Sequence, residues 1–221
     1  MTIAIPPLAR VPVDQRGITI GDFLVPIRLG ERISPLLRHV VLVVFGALLI
    51  ALTANISVPV PGSPVPVTGQ TFAVLLVGGA LGFRRGIAAT LLYVVLGLFL
   101  PVYAEHRSGV ATIASWDGHL VLGATGGYLV GFIVASAMVG RLAELGWDRR
   151  LGGAIAAMAI GNILIYVVGV PWLMAATGND LSWGIAHGVT PFLVGDALKL
   201  ALAAGAFPIA WWLVGRRPGE R

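Results

Sequence analysis

Apolar residues in this chain run in long unbroken stretches and seldom alternate with polar ones. HVVLVVFGALLIALTANI, from His39, is the first such run. A half-buried strand would alternate, whereas a helix crossing a hydrocarbon layer of about 30 Å needs roughly 20 continuous apolar residues at 1.5 Å per residue. The runs therefore predict membrane-spanning helices and argue against a barrel. Six spans are expected. The first covers 38 to 56 and ends in SVPVPGSPVPV, where Pro59, Pro61, Gly62, Pro64 and Pro66 forbid continuous helix. Residues 67 to 100 supply two more, divided at Gly82, Phe83, Arg84, Arg85 and Gly86, because two arginines sit cheaply only at a membrane surface. The rest are expected at 119 to 140, 151 to 170 and 189 to 214. They are separated by the basic turn RLAELGWDRR and by a segment, 171 to 188, holding Pro171, Gly178, Asn179 and Asp180. Residues 1 to 37 lack the order of a signal peptide and read as a mostly irregular or interfacial cytoplasmic arm. Residues 215 to 221 read as a cytoplasmic tail.

Composition sharpens the class. Hydrophobic residues make up 57% of the 221 and charged ones 11%, against about a quarter charged in soluble domains. The expected fold class is an all-α integral membrane protein, a compact bundle of six transmembrane helices with the lipid bilayer as its solvent. Cysteine is absent, which excludes disulfides and thiolate chemistry, and the histidines at 39, 106, 119 and 187 show no metal-ligand spacing. The net charge of +5 is explained by position. All 15 basic residues except Arg107 and Lys199 fall in the arm and its border, the turns at 82 to 86 and 141 to 150, and the tail. This positive-inside pattern puts both termini in the cytoplasm and loops 57 to 66, 101 to 118 and 171 to 188 outside. It also removes the reason to invoke nucleic acid. No GxxxxGK[ST] is present, so no nucleotide motor is visible.

Polar residues inside spans must find a partner or a ligand. Asp196 and Lys199, three apart in PFLVGDALK, share a helix face about 8 and 12 Å below Pro191. Lys199 is the sole lysine, and a buried ammonium suits a carboxylate arriving from outside. Asn162 and Tyr166, four apart, lie about 14 and 8 Å from the end of their span at Pro171. Thr125 and Tyr128 on the fourth span lie about 9 and 14 Å deep, and Tyr93 on the third about 12 Å below Pro101. These depths converge on one pocket open to the outside. Trp172 could stack on a ligand or anchor the helix at the interface. Ala47 and Ala51, four apart on the first span, let another helix approach closely, as do Gly78, Gly82, Gly123, Gly127 and Gly131 elsewhere. The residues alone do not name the solute or its energy source. An ion-coupled secondary transporter of a small carboxylate-bearing solute, with Asp196 as its proton-coupling group, would ordinarily show two related halves, and no internal repeat is evident. An enzyme is not expected, since no His or Cys enters the polar cluster.

Four segments carry a resemblance: SPVPVTGQTFAVLLVGGALGFRRGIAATLLYVVLGLFLPVY at 63 to 103, GATGGYLVGF at 123 to 132, GNILIYVVGVPWL at 161 to 173 and PFLVGDALK at 191 to 199. In this order and spacing the chain resembles the BioY family, the biotin-binding substrate components of energy-coupling-factor transporters. The resemblance implies a six-helix protein of a bacterial or archaeal plasma membrane that captures biotin from outside. It further implies a transmembrane scaffold protein and two cytoplasmic ATPases as partners, with ATP used only by the latter and no covalently bound cofactor. Asp196 and Lys199 then match the ligand-proximal pair of the last helix, Asn162, Tyr166 and Tyr128 match polar positions of its blocks, and Ala47 and Ala51 match the small residues expected to meet the scaffold protein. The loop YAEHRSGVATIASWDGH, more charged than the glycine-rich stretch usual there, departs from the family pattern.

Overall fold

A computed structural model describes residues 17–24 and 34–214. The tail and the remainder of the expected arm lie outside the described residues. Helix α1, Pro35–Ala54, starts where Ser34 Oγ accepts from the Leu37 N–H at 3.2 Å and proline occupies the first turn, where its missing N–H costs nothing. The proline-rich loop after it is pinned at its base by a two-residue antiparallel ladder, β1 Ser57–Val58 with β2 Val67–Thr68. Helix α2 covers Gln70–Phe99, α3 Gly126–Glu144, α4 Leu151–Thr177, α5 Leu181–Gly188 and α6 Leu193–Val214. In the bundle α2 lies between α1 and α3, α3 packs on α4, and α4 on α6, which also touches α2.

Five stretches are long and apolar enough to cross a membrane: Pro35–Ala54, Gln70–His106, Gly126–Glu144, Leu151–Thr177 and Leu181–Leu213. Their outer faces carry large apolar side chains, among them Phe45, Leu48 and Leu52 on α1 and Val194, Leu198 and Leu202 on α6. Contiguous apolar surface on this scale is incompatible with water and suits lipid. Inside, small residues let helices meet backbone to backbone. A Cβ added at Gly78 would stand 2.7 Å from the Ser136 carbonyl oxygen, so α2 and α3 touch there.

The expected division of 67 to 100 takes a subtler form. Helix runs through the arginine pair, and the break is a single residue, Gly82, at φ 82° and ψ 179°. Only glycine adopts that conformation without strain. It splits α2 into arms 70–81 (α2a) and 83–99 (α2b), about 18 and 26 Å long, so α2a alone is shorter than a bilayer core. The Phe83 N–H, deprived of a helical acceptor, donates to Glu144 Oε1 at the end of α3, 2.9 Å away. Other expected boundaries shift. Helix α4 continues through Pro171 to Thr177, since a proline removes one hydrogen bond without ending a packed helix. The 181–188 part of the expected outer loop is helical, and the expected span start at 119 is taken by a hairpin, β3 Ala114–Trp116 with β4 Leu120–Leu122, and by residues 123 to 125 leading into α3.

Two further expectations change. Residues 17–24 are not a loose arm: Thr19 and Ile20 are buried, Gly17 N–H donates to the Glu144 carbonyl at 3.0 Å, and a helical turn, Gly21–Leu24, packs on α2a. Ala47 and Ala51 face into the bundle, 0% and 7% exposed, and not toward a partner. The neighbouring Gly46 lies against Val77, Leu81 and Ala89, so this small-residue face is spent on packing α1 against α2. Four-residue spacing announces a close approach but does not say to which helix.

Candidate ligand-binding site

Two helices bring the charged centre together. On α6, Asp196 and Lys199 stand one turn apart and pair at 3.3 Å, the carboxylate side chain 3% and the lysine 17% exposed. On α4, the Asn162 amide donates to Asp196 Oδ2 at 3.0 Å and the Tyr166 hydroxyl donates to the same oxygen. Lys199 Nζ reaches across to Thr71 Oγ1 on α2a at 3.0 Å. Asp196 therefore has three donors, the condition under which a buried carboxylate is tolerable. The face-sharing inferred from the spacing of 162, 166, 196 and 199 is present in the structure as one network joining α4, α6 and α2a.

A cavity of about 50 Å³ adjoins this network. Its inner end is lined by Tyr166, Lys199, Thr71 and Gln70, its apolar walls by Leu129, Phe132, Ile165 and Phe192, and its outer end by Tyr103, Ala104, Arg107 and Thr112 from the loop between α2 and α3. Val65, Pro66 and Thr68 from the proline-rich loop close one side. Apolar walls with a few convergent polar groups are the usual make-up of a small-molecule site. Such a volume holds a few waters, each needing about 10–15 Å³. Among the described residues no group of three or more His, Cys, Asp or Glu is placed to hold a metal ion.

The remaining expected site residues divide. Tyr128 and Thr125 line the cavity. The Tyr128 hydroxyl donates to the Gly188 carbonyl at 2.9 Å, and its ring fits where Gly169 and Gly188 lack side chains. Thr125 Oγ1 bonds weakly to the Thr112 carbonyl at 3.4 Å. Tyr93 and Trp172 do not line it. Tyr93 is fully buried behind Gln70, whose amide donates to its hydroxyl. Trp172 donates from Nε1 to the Gly123 carbonyl at 2.9 Å and lies flush against Gly127, so its ring is committed to packing. Asn162 and Asp196 stand behind the lining and act through Tyr166 and Lys199.

Sequence reasoning missed Gln70, Thr71, Tyr103 and Arg107. Gln70 and Thr71 open α2a directly after the proline-rich loop, so VTGQT was a readable signal of polar groups at a helix entrance. Thr68 Oγ1 donates to Gln70 Oε1 at 2.9 Å, turning that amide toward Tyr93. Tyr103 returns from the loop to lay its ring on Gly97, where an added Cβ would come within 2.1 Å, and its hydroxyl donates to the Val94 carbonyl at 2.6 Å. Arg107 pairs with Glu105 at the outer end. It is the only basic residue of the expected outer loops, and that isolation was its signal.

Comparison with known proteins gives one consistent result. The model of the BioY family matches residues 27–216. "Probable biotin transporter BioY" of Pyrococcus horikoshii is 37% identical over 161 residues, 71% of this chain and 88% of that protein. "Biotin transporter BioY" of Thermotoga maritima is 36% identical over 157 residues, 71% and 85% of the two chains. Among solved structures, the S-component for biotin from an ECF-type ABC transporter superposes with a TM-score of 0.70 over 84% of this chain and 96% of that one, at 22% identity, which speaks to the fold alone.

Proposed function

This chain belongs to the BioY family, and from that premise we propose that it captures biotin as the substrate-binding component of an energy-coupling-factor importer. The observation that carries the reading furthest is the Asp196–Lys199–Asn162–Tyr166 network at the inner end of a cavity otherwise walled by apolar side chains. Biotin combines a ureido ring with several donors and acceptors, an apolar thiophane and a carboxylate on a four-carbon tail. The ring would lie inward, against Lys199, Tyr166 and Thr71, and the thiophane between Leu129 and Phe192. The carboxylate would meet Arg107. Lys199 already shares its charge with Asp196, so a second carboxylate there would leave a buried excess of negative charge. Arg107 is half exposed, and an anion beside it keeps part of its hydration.

Because Tyr103, Arg107 and Thr112 line the outer end of the cavity, the loop that bears them would lift to admit the ligand and then close over it. Six crossings are proposed, with α2a and α2b counted separately, the cavity facing outside and both termini in the cytoplasm. Arg38, Arg85 and Arg141 gather with Asp22 and Glu144 at the far end of the bundle from the cavity, which supports this orientation. Energy would come from two ATPases through a membrane scaffold protein, in the plasma membrane of a bacterium or archaeon.

The test is equilibrium titration of detergent-solubilised protein with biotin, biotin amide, desthiobiotin and thiamine. Biotin should bind and thiamine should not. Lys199→Met should cost about 2–4 kcal/mol for biotin and its amide alike. Arg107→Gln should abolish the preference for biotin over the amide. Thiamine binding as tight as biotin would overturn the reading.

A further inference from the structure

At the end of the bundle opposite the cavity, a groove of about 760 Å³ opens between α1, the start of α2b and the end of α3. His39, Arg84, Arg85 and Arg141 line it, with Glu144 as the acid among its described lining residues. The charges are unequally matched. Glu144 is engaged on both oxygens, taking Arg141 on Oε2 at 3.0 Å and the Phe83 N–H on Oε1 at 2.9 Å. Arg85 spends Nη2 on Asp22 and Thr19, at 2.9 and 3.1 Å, and leaves Nη1 buried with no hydrogen-bond partner. Arg84, one residue nearer the helix break, is exposed and forms no hydrogen bond or ion pair among the described residues. With Arg38, which also contacts Asp22, four guanidinium groups face two carboxylates among the described residues.

Beside these cations the walls are apolar. Phe83 is 40% exposed at the groove, and Val43 lines it next to Val40 and Val44, which belong to the outer face of α1. A cationic floor continuous with a lipid-facing wall fits an amphiphile whose head is an anion. A soluble anion would leave the apolar wall unused, and a neutral lipid would leave Arg84 unmatched.

We propose that this groove seats the headgroup of an anionic glycerophospholipid, its phosphodiester on Arg84 and Arg141 and its acyl chains along Phe83 and α1. Gly82 makes the site possible by turning the chain so that Phe83 and Arg84, both exposed, leave the bundle side by side. Which leaflet supplies the lipid rests on the orientation proposed above. Binding itself does not, so either can fail without the other.

Native mass spectrometry of the full chain in detergent, titrated with dioctanoyl phosphatidylglycerol or dioctanoyl phosphatidylcholine, tests it. The anionic lipid should be retained in preference to the zwitterionic one. Arg84→Gln should lower its retention about fivefold, and Arg84→Gln with Arg141→Gln further. Arg84→Lys, which keeps the charge, should retain most of it, a rescue that general damage to the fold would not give. Equal retention of both lipids, or an unchanged preference in Arg84→Gln, would overturn the proposal. Displacement of the lipid by inorganic phosphate or tetraglutamate as readily as by phosphatidylglycerol would also overturn it, by assigning the groove to a free anion or to an acidic protein segment.

Discussion

The Asn162 amide on α4 donates to Asp196 Oδ2 on α6 at 3.0 Å, and both side chains are buried between the helices. That bond ties together the two helices supplying Tyr166 and Lys199 to the cavity. If the cavity is the biotin site, structure and recognition share one carboxylate, and substitutions there should affect both in separable ways.

Asp196→Asn leaves the Lys199 ammonium without its counter-charge, and breaking a largely buried pair from one side should cost about 3 kcal/mol of stability. Adding Lys199→Met removes the orphaned charge and should restore much of that loss without restoring biotin affinity. Thermal unfolding and titration on the same detergent samples separate the two effects. Recovery of affinity in the double variant would show that neither group serves the ligand.

The inward orientation of Ala47 changes what a bulky probe on α1 can report. Ala47→Trp should overpack the α1–α2 contact, costing about 1–3 kcal/mol or more and lowering the yield of folded protein. Leu48→Trp, on the face 55% exposed, should leave stability within about 0.5 kcal/mol. If the scaffold protein docks on the outer face of α1, Leu48→Trp should reduce co-purification at unchanged biotin affinity. Normal complex formation by Leu48→Trp would move the interface off this face.

Orientation can be read with single cysteines, because the chain has none of its own. Cysteine at Ser63 or Asn179 should react with a membrane-impermeant thiol reagent in intact cells, and cysteine at Gly146 only after permeabilisation. Labelling at Gly146 from outside would invert the topology.

Much of this was legible in the chain, for physical reasons that also mark where legibility stopped. Long apolar runs and arginine-bearing turns locate membrane helices because lipid penalises every exception, so the helical bundle was readable to within a few residues at most ends. Polar residues at helical spacing likewise announced the Asp196 network. Pro171 misled, since its cost is met by packing that a sequence does not display. Ala47 and Ala51 misled because small residues serve internal and external contacts alike. Tyr103 and Arg107 reach the cavity by loop geometry, which no periodicity encodes.

A titration outside the spans gives a further prediction. Asp148, between α3 and α4, is buried and accepts from Trp211 Nε1 at 2.7 Å, while its Oδ1 has no hydrogen-bond partner. Burial pushes its carboxyl up from 3.8 to about 6, against the Trp211 bond and the Arg149 charge, which pull it down. The folded protein thus holds this proton to higher pH than the unfolded chain. Stability should fall as pH rises from about 4 to about 6, by roughly 2–3 kcal/mol, and level off above that. Asp148→Asn, able to keep the Trp211 bond, should flatten the slope and raise the melting temperature at pH 7.5. A slope unchanged in Asp148→Asn would place the titrating group elsewhere.

The segment over the outer end of the cavity bears on tempo as well as fit. The segment carrying Tyr103 and Arg107 lines the outer end of the cavity, and if it must move to let the vitamin in, each arrival waits on that rearrangement. The observed association rate should climb with vitamin concentration and then reach a plateau equal to the opening frequency of that segment. Departure obeys the same clock. With the Tyr103 ring seated on Gly97, a molecule enclosed behind it would leave when that ring is drawn aside. Residence would then depend on an obstructed exit as well as on strong contacts, and whatever unseats the Tyr103 ring would discharge the cargo without first weakening a bond to it.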